Sequence, residues 1–256
     1  MTKIDQYFAK KFQTLRTGTP QWEQHHRNFL VYGLARTVGL RVEEISSLQV
    51  GRFLDLNLSG ARPTETRNLP IVGKYGRTAS PSFSVEILRQ LQAYAHKLRA
   101  QALARSQQAN HDALFVVHVG RKTGAPISRE GLQRAINSVF CAAGLFEFVA
   151  QANENNSQEQ GVLRRKASHS IHDLRHSCAC ETFYSFVAVF GDSADSRLQA
   201  LEKVRKQLRH ANMETTQNVY AALTERYSTW LSFSEGIDKD RLTLSAPHQS
   251  WGYSDG

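Results

Sequence analysis

SIHDLRHSCA, Ser170 to Ala179, is the stretch on which the fold turns. It sets His172, Arg175 and His176 within little more than one helical turn, beside the apolar Leu174, Cys178 and Ala179. Such a helix packs on a core and still carries two imidazoles and a guanidinium. Three readings compete. His172 and His176 lie at i and i+4, a spacing that can chelate zinc, but Asp173 stands where the zinc-protease pattern needs Glu, and no third ligand is evident. A solvated face of a structural helix is the bland reading. The third is a phosphate site, because Arg offers a planar fork to two phosphate oxygens and His shuttles a proton near neutral pH.

Outward from this helix, 256 residues with 41% hydrophobic content allow one large domain with a real core. No apolar run reaches the ~18 residues of a membrane span. The start, MTKIDQYFAKKFQTLR, lacks the apolar centre of a signal peptide. Ile4, Phe8, Phe12 and Leu15 there recur at helical spacing. Cys141, Cys178 and Cys180 form neither a CxxC pair nor a disulfide framework, which suits a reducing cytoplasm. A net charge of +9 and a pI near 9.6 favour a polyanionic partner, with nucleic acid first. The basic clusters are Arg121/Lys122, Arg164–Lys166 and Lys203–Arg209.

The pattern predicts a mainly α fold with one small antiparallel β-sheet, an α+β class. Residues 20–38 read as a helix opened by Pro20, with Trp22, Phe29, Leu30, Leu34 and Val38 on a buried face. A short helix follows in GLRVEEISSLQV. Residues 50–58 alternate and read as a strand, as do 66–73 and 78–85, the last two joined by a turn at Lys74–Arg77. Helices are expected over 84–107 from an N-cap at Ser84, and over 129–143 from Ser128. Further helices are expected at about 171–190, 196–209 and 214–233. ALFVVHV, 113–119, reads as a short strand or buried segment, and the polar stretch 151–168 as an exposed insertion.

Matching pieces of a phosphate site recur along the chain. GLRVEEISSL places Arg41 at a helix entrance with Glu44 three residues on, where an ordinary surface pair is the alternative. VGKYGR carries Lys74 on a hairpin tip. LRHANMETTQNVY supplies His210 and then Tyr220. Each fragment alone is weak; the order R…K…HxxR…H…Y is specific. That order resembles the tyrosine recombinase, or phage-type integrase, family, over roughly residues 20–235.

The resemblance implies a catalytic-domain-like fold. It implies Arg41, Lys74, His172, Arg175 and His210 arranged around the nucleophile Tyr220, with Glu44 and His176 in support. It also implies a site-specific DNA strand-transferase that works without metal, ATP or any cofactor. The arginines would grip the non-bridging phosphate oxygens, where charge grows in the transition state. His172 would take the proton of Tyr220, and Lys74 would protonate the leaving 5′-oxygen. Arg77, Arg121, Lys122, Arg164, Arg165 and Lys166 are the expected contacts to the DNA backbone. Two other readings remain: a catalytically silent DNA-binding module of the same fold, and a relaxing topoisomerase of type IB, which uses a similar residue set.

The partner expected is double-stranded DNA, with a homo-tetramer formed through exchange of C-terminal segments. The compartment expected is the cytoplasm, at the nucleoid, as for a bacterial or phage-like mobile-element enzyme. The division expected is residues 1–19 as an N-terminal extension, 20–235 as the catalytic domain and 236–256 as a tail. Most members carry a helical core-binding domain upstream, so the chain is expected to be either a fragment or a minimal recombinase. The chain departs from the family at Leu208-Arg209-His210, where members usually read Leu-Gly-His.

Overall fold

A computed structural model describes residues 2–72, 78–106, 111–150 and 163–209. Helix α1, Lys3–Thr14, begins with a capping box in which Thr2 and Asp5 exchange side-chain and backbone hydrogen bonds. It buries Ile4 and Phe8 against α2, with Phe12 and Leu15 partly covered, so the amphipathic spacing of the first residues is realised as docking on the common core. Helix α2, Pro20–Gly33, has Thr19 as N-cap and Pro20 in its first turn, where a missing N–H does no harm. Its last turn widens into a π segment, Leu34–Val38, that ends at Gly39. Trp22, Phe29, Leu30, Leu34 and Val38 are all buried, as their spacing predicted.

Two short helices follow, α3 (Val42–Ser46) and α4 (Gly51–Leu54). The strand expected at 50–58 is therefore corrected. Buried Val50 and Phe53 stand three residues apart, a helical spacing, and the Val50 N–H is taken by the Asp112 carbonyl at 2.7 Å. The hairpin expected from 66 to 85 is present but interrupted. Strand β1 (Thr66–Asn68) pairs with β4 (Ser82–Ser84), and β2 (Ile71–Val72) pairs with β3 (Thr78–Ala79), all antiparallel. Pro70 and Pro81 fall at the break, where each lacks a ladder donor.

Helix α5, Val85–Ala93, starts on the Ser84 cap and runs through a second π segment, Tyr94–Arg99, into α6, Ala100–Ala104. Residues 113–119 form only isolated bridges, Gln49 with Ala113 and Val116 with Pro126, and are mostly buried. Helix α7, Arg129–Ala142, starts on Ser128 and packs on α2 and α3. A further hairpin joins β5 (Phe146–Ala150) to β6 (Leu163–Ala167). The exposed insertion expected at 151–168 is thus corrected in its last part, which is a strand; 151–162 lie outside the described residues. Among the described residues there are three two-stranded sheets where one sheet was expected.

Helix α8, Ile171–Phe190, is followed by α9, Ala194–Leu208. The two pack on each other through Cys178, Ala179, Phe183, Ala200, Val204 and Leu208, a small core beside the main one. Arg36 fixes α8 to the first two helices: it meets Glu181 at 3.0 Å, Asp5 at 3.3 Å and the Tyr32 hydroxyl at 2.7 Å. The helix expected at 214–233 lies outside the described residues. No described helix is long and apolar enough to cross a membrane.

Candidate active site

The site is built on the turn that closes the π segment. A helix end leaves carbonyls without intrahelical partners. Here side chains of α8 and α9 take them. The Thr37 carbonyl accepts from the Cys178 thiol at 3.6 Å and from the Gln207 amide at 3.4 Å, and Gln207 also reaches the Val38 carbonyl at 3.4 Å. The Gly39 carbonyl accepts from Arg175 and, at 3.2 Å, from Arg209. Gly39 itself has φ 69°, and a Cβ there would stand 2.7 Å from Leu208 Cδ2, so the turn requires glycine.

Arg175 sits on the buried side of α8 with Leu174 and Cys178, and is 2% exposed. Its Nη1 donates to the Gly39 carbonyl and its Nη2 to the Leu208 carbonyl, linking the 39 turn to the end of α9. Burial, then the charges of Arg41 and Arg209, push its guanidinium below the usual arginine range, partly offset by Glu44. An arginine has five N–H donors, so two carbonyls leave part of the fork unused by them.

Arg41 occupies the N-cap of α3, with Glu44 at the third helical position. Glu44 is buried and accepts from the Arg41 N–H at 2.8 Å, from Arg41 Nη1 at 3.2 Å and from Arg209 Nη2 at 2.6 Å. Burial alone would raise the Glu44 carboxyl. The Arg209 charge, the Arg41 amide and Arg175 outweigh it, and the carboxyl is held below its ordinary value. One carboxylate thus faces three guanidinium groups, and the excess positive charge suits an anion. The Arg41–Glu44 pair was legible as a helical i,i+3 spacing; the place of both beside Arg175 was not.

His172 is exposed in the first turn of α8, and its ring meets that of His176 edge-on at 4.4 Å between centroids. His172 and Arg175 therefore differ in exposure: the imidazole faces outward while the guanidinium is enclosed. Asp173 caps the helix by accepting from the Ser170 N–H at 2.7 Å. Burial would raise the Asp173 carboxyl, but the Ser170 bonds and the charges of His169 and His176 keep it low. Among the described residues no group of three His, Cys, Asp or Glu is placed to hold a metal ion.

Arg121 and Lys122 are exposed on a turn, and Arg164, Arg165 and Lys166 are exposed on β6. Arg165 lies over the Phe146 ring at 4.6 Å, and Lys166 is 3.5 Å from Glu147. Lys74, Arg77, His210 and Tyr220 lie outside the described residues. The residue that the motif reading passed over is Arg209. Its one signal was the arginine standing in the usual glycine position of the Leu-x-His motif.

The sequence is similar to the tyrosine recombinase XerC of Lactobacillus leichmannii, 25% identical over 203 residues, which are 79% of this chain and 52% of that protein. The same figures hold for the XerC of Lactobacillus delbrueckii subsp. bulgaricus strain ATCC BAA-365. The chain spans about half the length of these relatives, 52%. No family profile matches it. Among solved structures, the XerH site-specific recombinase bound to palindromic difH substrate aligns with a TM-score of 0.49 at 17% identity, over 90% of this chain and 51% of that one. The XerA recombinase aligns with a TM-score of 0.48 at 18% identity, over 90% of this chain and 63% of that one. In its motif order and across most of its length, the chain is similar to tyrosine recombinases.

Proposed function

We propose that the chain is the catalytic part of a site-specific recombinase or integrase that cuts and rejoins double-stranded DNA. The observation that carries this is the convergence of Arg41, Arg175 and Glu44 at the Gly39 turn, from segments far apart in sequence. In the reading we favour, Arg41 and Arg175 neutralise the non-bridging oxygens of one phosphodiester, and His210 adds a donor. The Tyr220 oxygen attacks phosphorus as His172 takes its proton. A P–O bond to tyrosine forms and the P–O5′ bond breaks, with Lys74 giving the departing oxygen its proton. The 3′-phosphotyrosyl link keeps the bond energy, so a second 5′-hydroxyl reverses the step without ATP. His176 and Glu44 orient their neighbours.

On this reading residues 20–235 form the catalytic unit, 1–19 an extension docked on it and 236–256 a tail. Backbone affinity comes from Arg77, Arg121, Lys122 and Arg164–Lys166. Assembly is a tetramer on DNA through exchanged C-terminal segments, and the setting is the cytoplasm at the nucleoid. One observation favours the silent DNA-binding module as a second reading: Arg175 is enclosed and already bonded to two carbonyls. A pool of nicked duplexes with a randomised centre separates the two. An adduct that survives denaturation, and is absent in Tyr220→Phe, supports the enzyme. Tight binding that never yields an adduct supports the module.

A further inference from the structure

We infer that Arg209 is a positioning residue of the phosphate site, holding Arg41 in place through the carboxylate the two share. The inference rests on the reading of this site as a DNA-cleavage centre.

Arg209 is the one non-glycine residue with positive φ among those described, at φ 56° and ψ 42°. A left-handed conformation strains an L residue, and glycine would take it without strain. The side chain is 11% exposed, and its Nε is buried with no hydrogen-bond partner among the described residues. Backbone strain counts against the fold, so stability alone does not account for arginine here. The guanidinium instead bridges elements. It donates from Nη2 to Glu44 Oε2 at 2.6 Å and to the Gly39 carbonyl at 3.2 Å, and from Nη1 to the Gln207 carbonyl at 2.9 Å.

Glu44 in turn holds the Arg41 N–H and Nη1. Arg209 therefore joins the last turn of α9, the Gly39 turn and the entrance of α3. It pins the carboxylate that aims Arg41, and it adds positive charge beside Arg175. A fork that reaches three oxygens at fixed angles is a task for arginine; a lysine would meet one or two of them.

The test uses the intact chain, its Arg209→Gly, Arg209→Lys and Glu44→Gln variants, and the Arg209→Gly/Glu44→Gln double variant. The probe is the pool of nicked duplexes with a randomised centre. Arg209→Gly is expected to keep its unfolding midpoint and its DNA affinity within about twofold, while adduct formation slows roughly tenfold or more. Arg209→Lys is expected to recover part of the rate. The double variant is expected to be no slower than Glu44→Gln, because both act through one ion pair. A wild-type rate in Arg209→Gly, or losses that multiply in the double variant, overturns the inference. If the unaltered chain gives no adduct, the cleavage reading fails by itself. Carboxylate NMR of Glu44 then decides: a higher titration in Arg209→Gly supports the shared carboxylate, and an unchanged one overturns it.

Discussion

Arg175 on α8 donates to the carbonyl oxygen of Gly39, 136 positions earlier in the chain. That bond, with the one to the Leu208 carbonyl, makes a single guanidinium the meeting point of three segments. Arg175 and Arg41 therefore differ in how much of the fold depends on them, the first being enclosed and the second partly open to solvent.

Arg175→Lys is expected to lose both the bridge and the chemistry. A lysine cannot span two carbonyls on separate elements; the Gly39 carbonyl keeps its bond from Arg209, but one of the two buried bonds from α8 is lost, and a hydrogen bond from a charged group contributes about 1.5–3 kcal/mol. Urea unfolding should show a loss of that order, and adduct formation should drop to background. Arg41→Ala is expected to abolish the adduct while lowering stability by less than ~1 kcal/mol, because the Arg41 side chain is 38% exposed and its ion pair is half open to solvent. Equal stability losses in the two variants would contradict this division.

Gly39→Ala is expected to disturb the site without touching any charged residue. The added methyl meets Leu208 Cδ2 at 2.7 Å and Cys178 Sγ at 3.2 Å, at a φ that favours glycine. A destabilisation of roughly 1–3 kcal/mol is expected, from strain and overpacking together. Adduct formation should fall with it, since the Gly39 carbonyl anchors both Arg175 and Arg209.

Acid should weaken the α1–α2 layer before it reaches the carboxylates. His26 is buried among Phe12 and Trp22, and burial, with the His118 charge, pushes its pKa down to about 3. The unfolded chain then takes up a proton near the ordinary histidine value that the folded chain refuses. Stability is thus full above pH ~6.5 and declines as pH falls toward the folded value, by about 2 kcal/mol at pH 5 from this residue alone. Melting temperatures taken between pH 7.5 and 5 should fall, and His26→Gln should flatten the slope. A slope unchanged in that variant would assign the acid sensitivity elsewhere.

DNA affinity should fall steeply with salt, and the β6 cations should account for part of that slope. Replacing Arg164, Arg165 and Lys166 together by Ala is expected to reduce the slope of log K against log salt by about 1 for each phosphate no longer neutralised, without altering sequence preference. No change in slope would remove β6 from the interface.

Much of the helical frame was legible because its signals are local. Pro20, Ser84 and Ser128 mark helix starts, and α8, Ile171–Phe190, fills the span expected for it. The β5–β6 hairpin was not legible because Leu163–Ala167 is exposed nearly throughout, so no alternation marks it. A strand at 50–58 fails because the residues that become buried there, Val50, Phe53 and Leu58, follow one another at odd steps, which a strand would place on opposite faces. In the site, the Arg41–Glu44 pair is a neighbour relation along one helix and is readable as such. The enclosure of Arg175 and the reach of Arg209 to Glu44 arise only when distant elements pack, and no pattern within a short window encodes them.

The most direct measurement is covalent capture on nicked duplexes with a randomised centre. The intact chain is incubated without added metal or nucleotide, denatured, and the attachment site mapped by peptide mass. A 3′-phosphate ester on Tyr220, absent in Tyr220→Phe and in Arg41→Ala, is the expected result. Attachment through another residue, or firm binding with no adduct across the whole pool, would contradict the account.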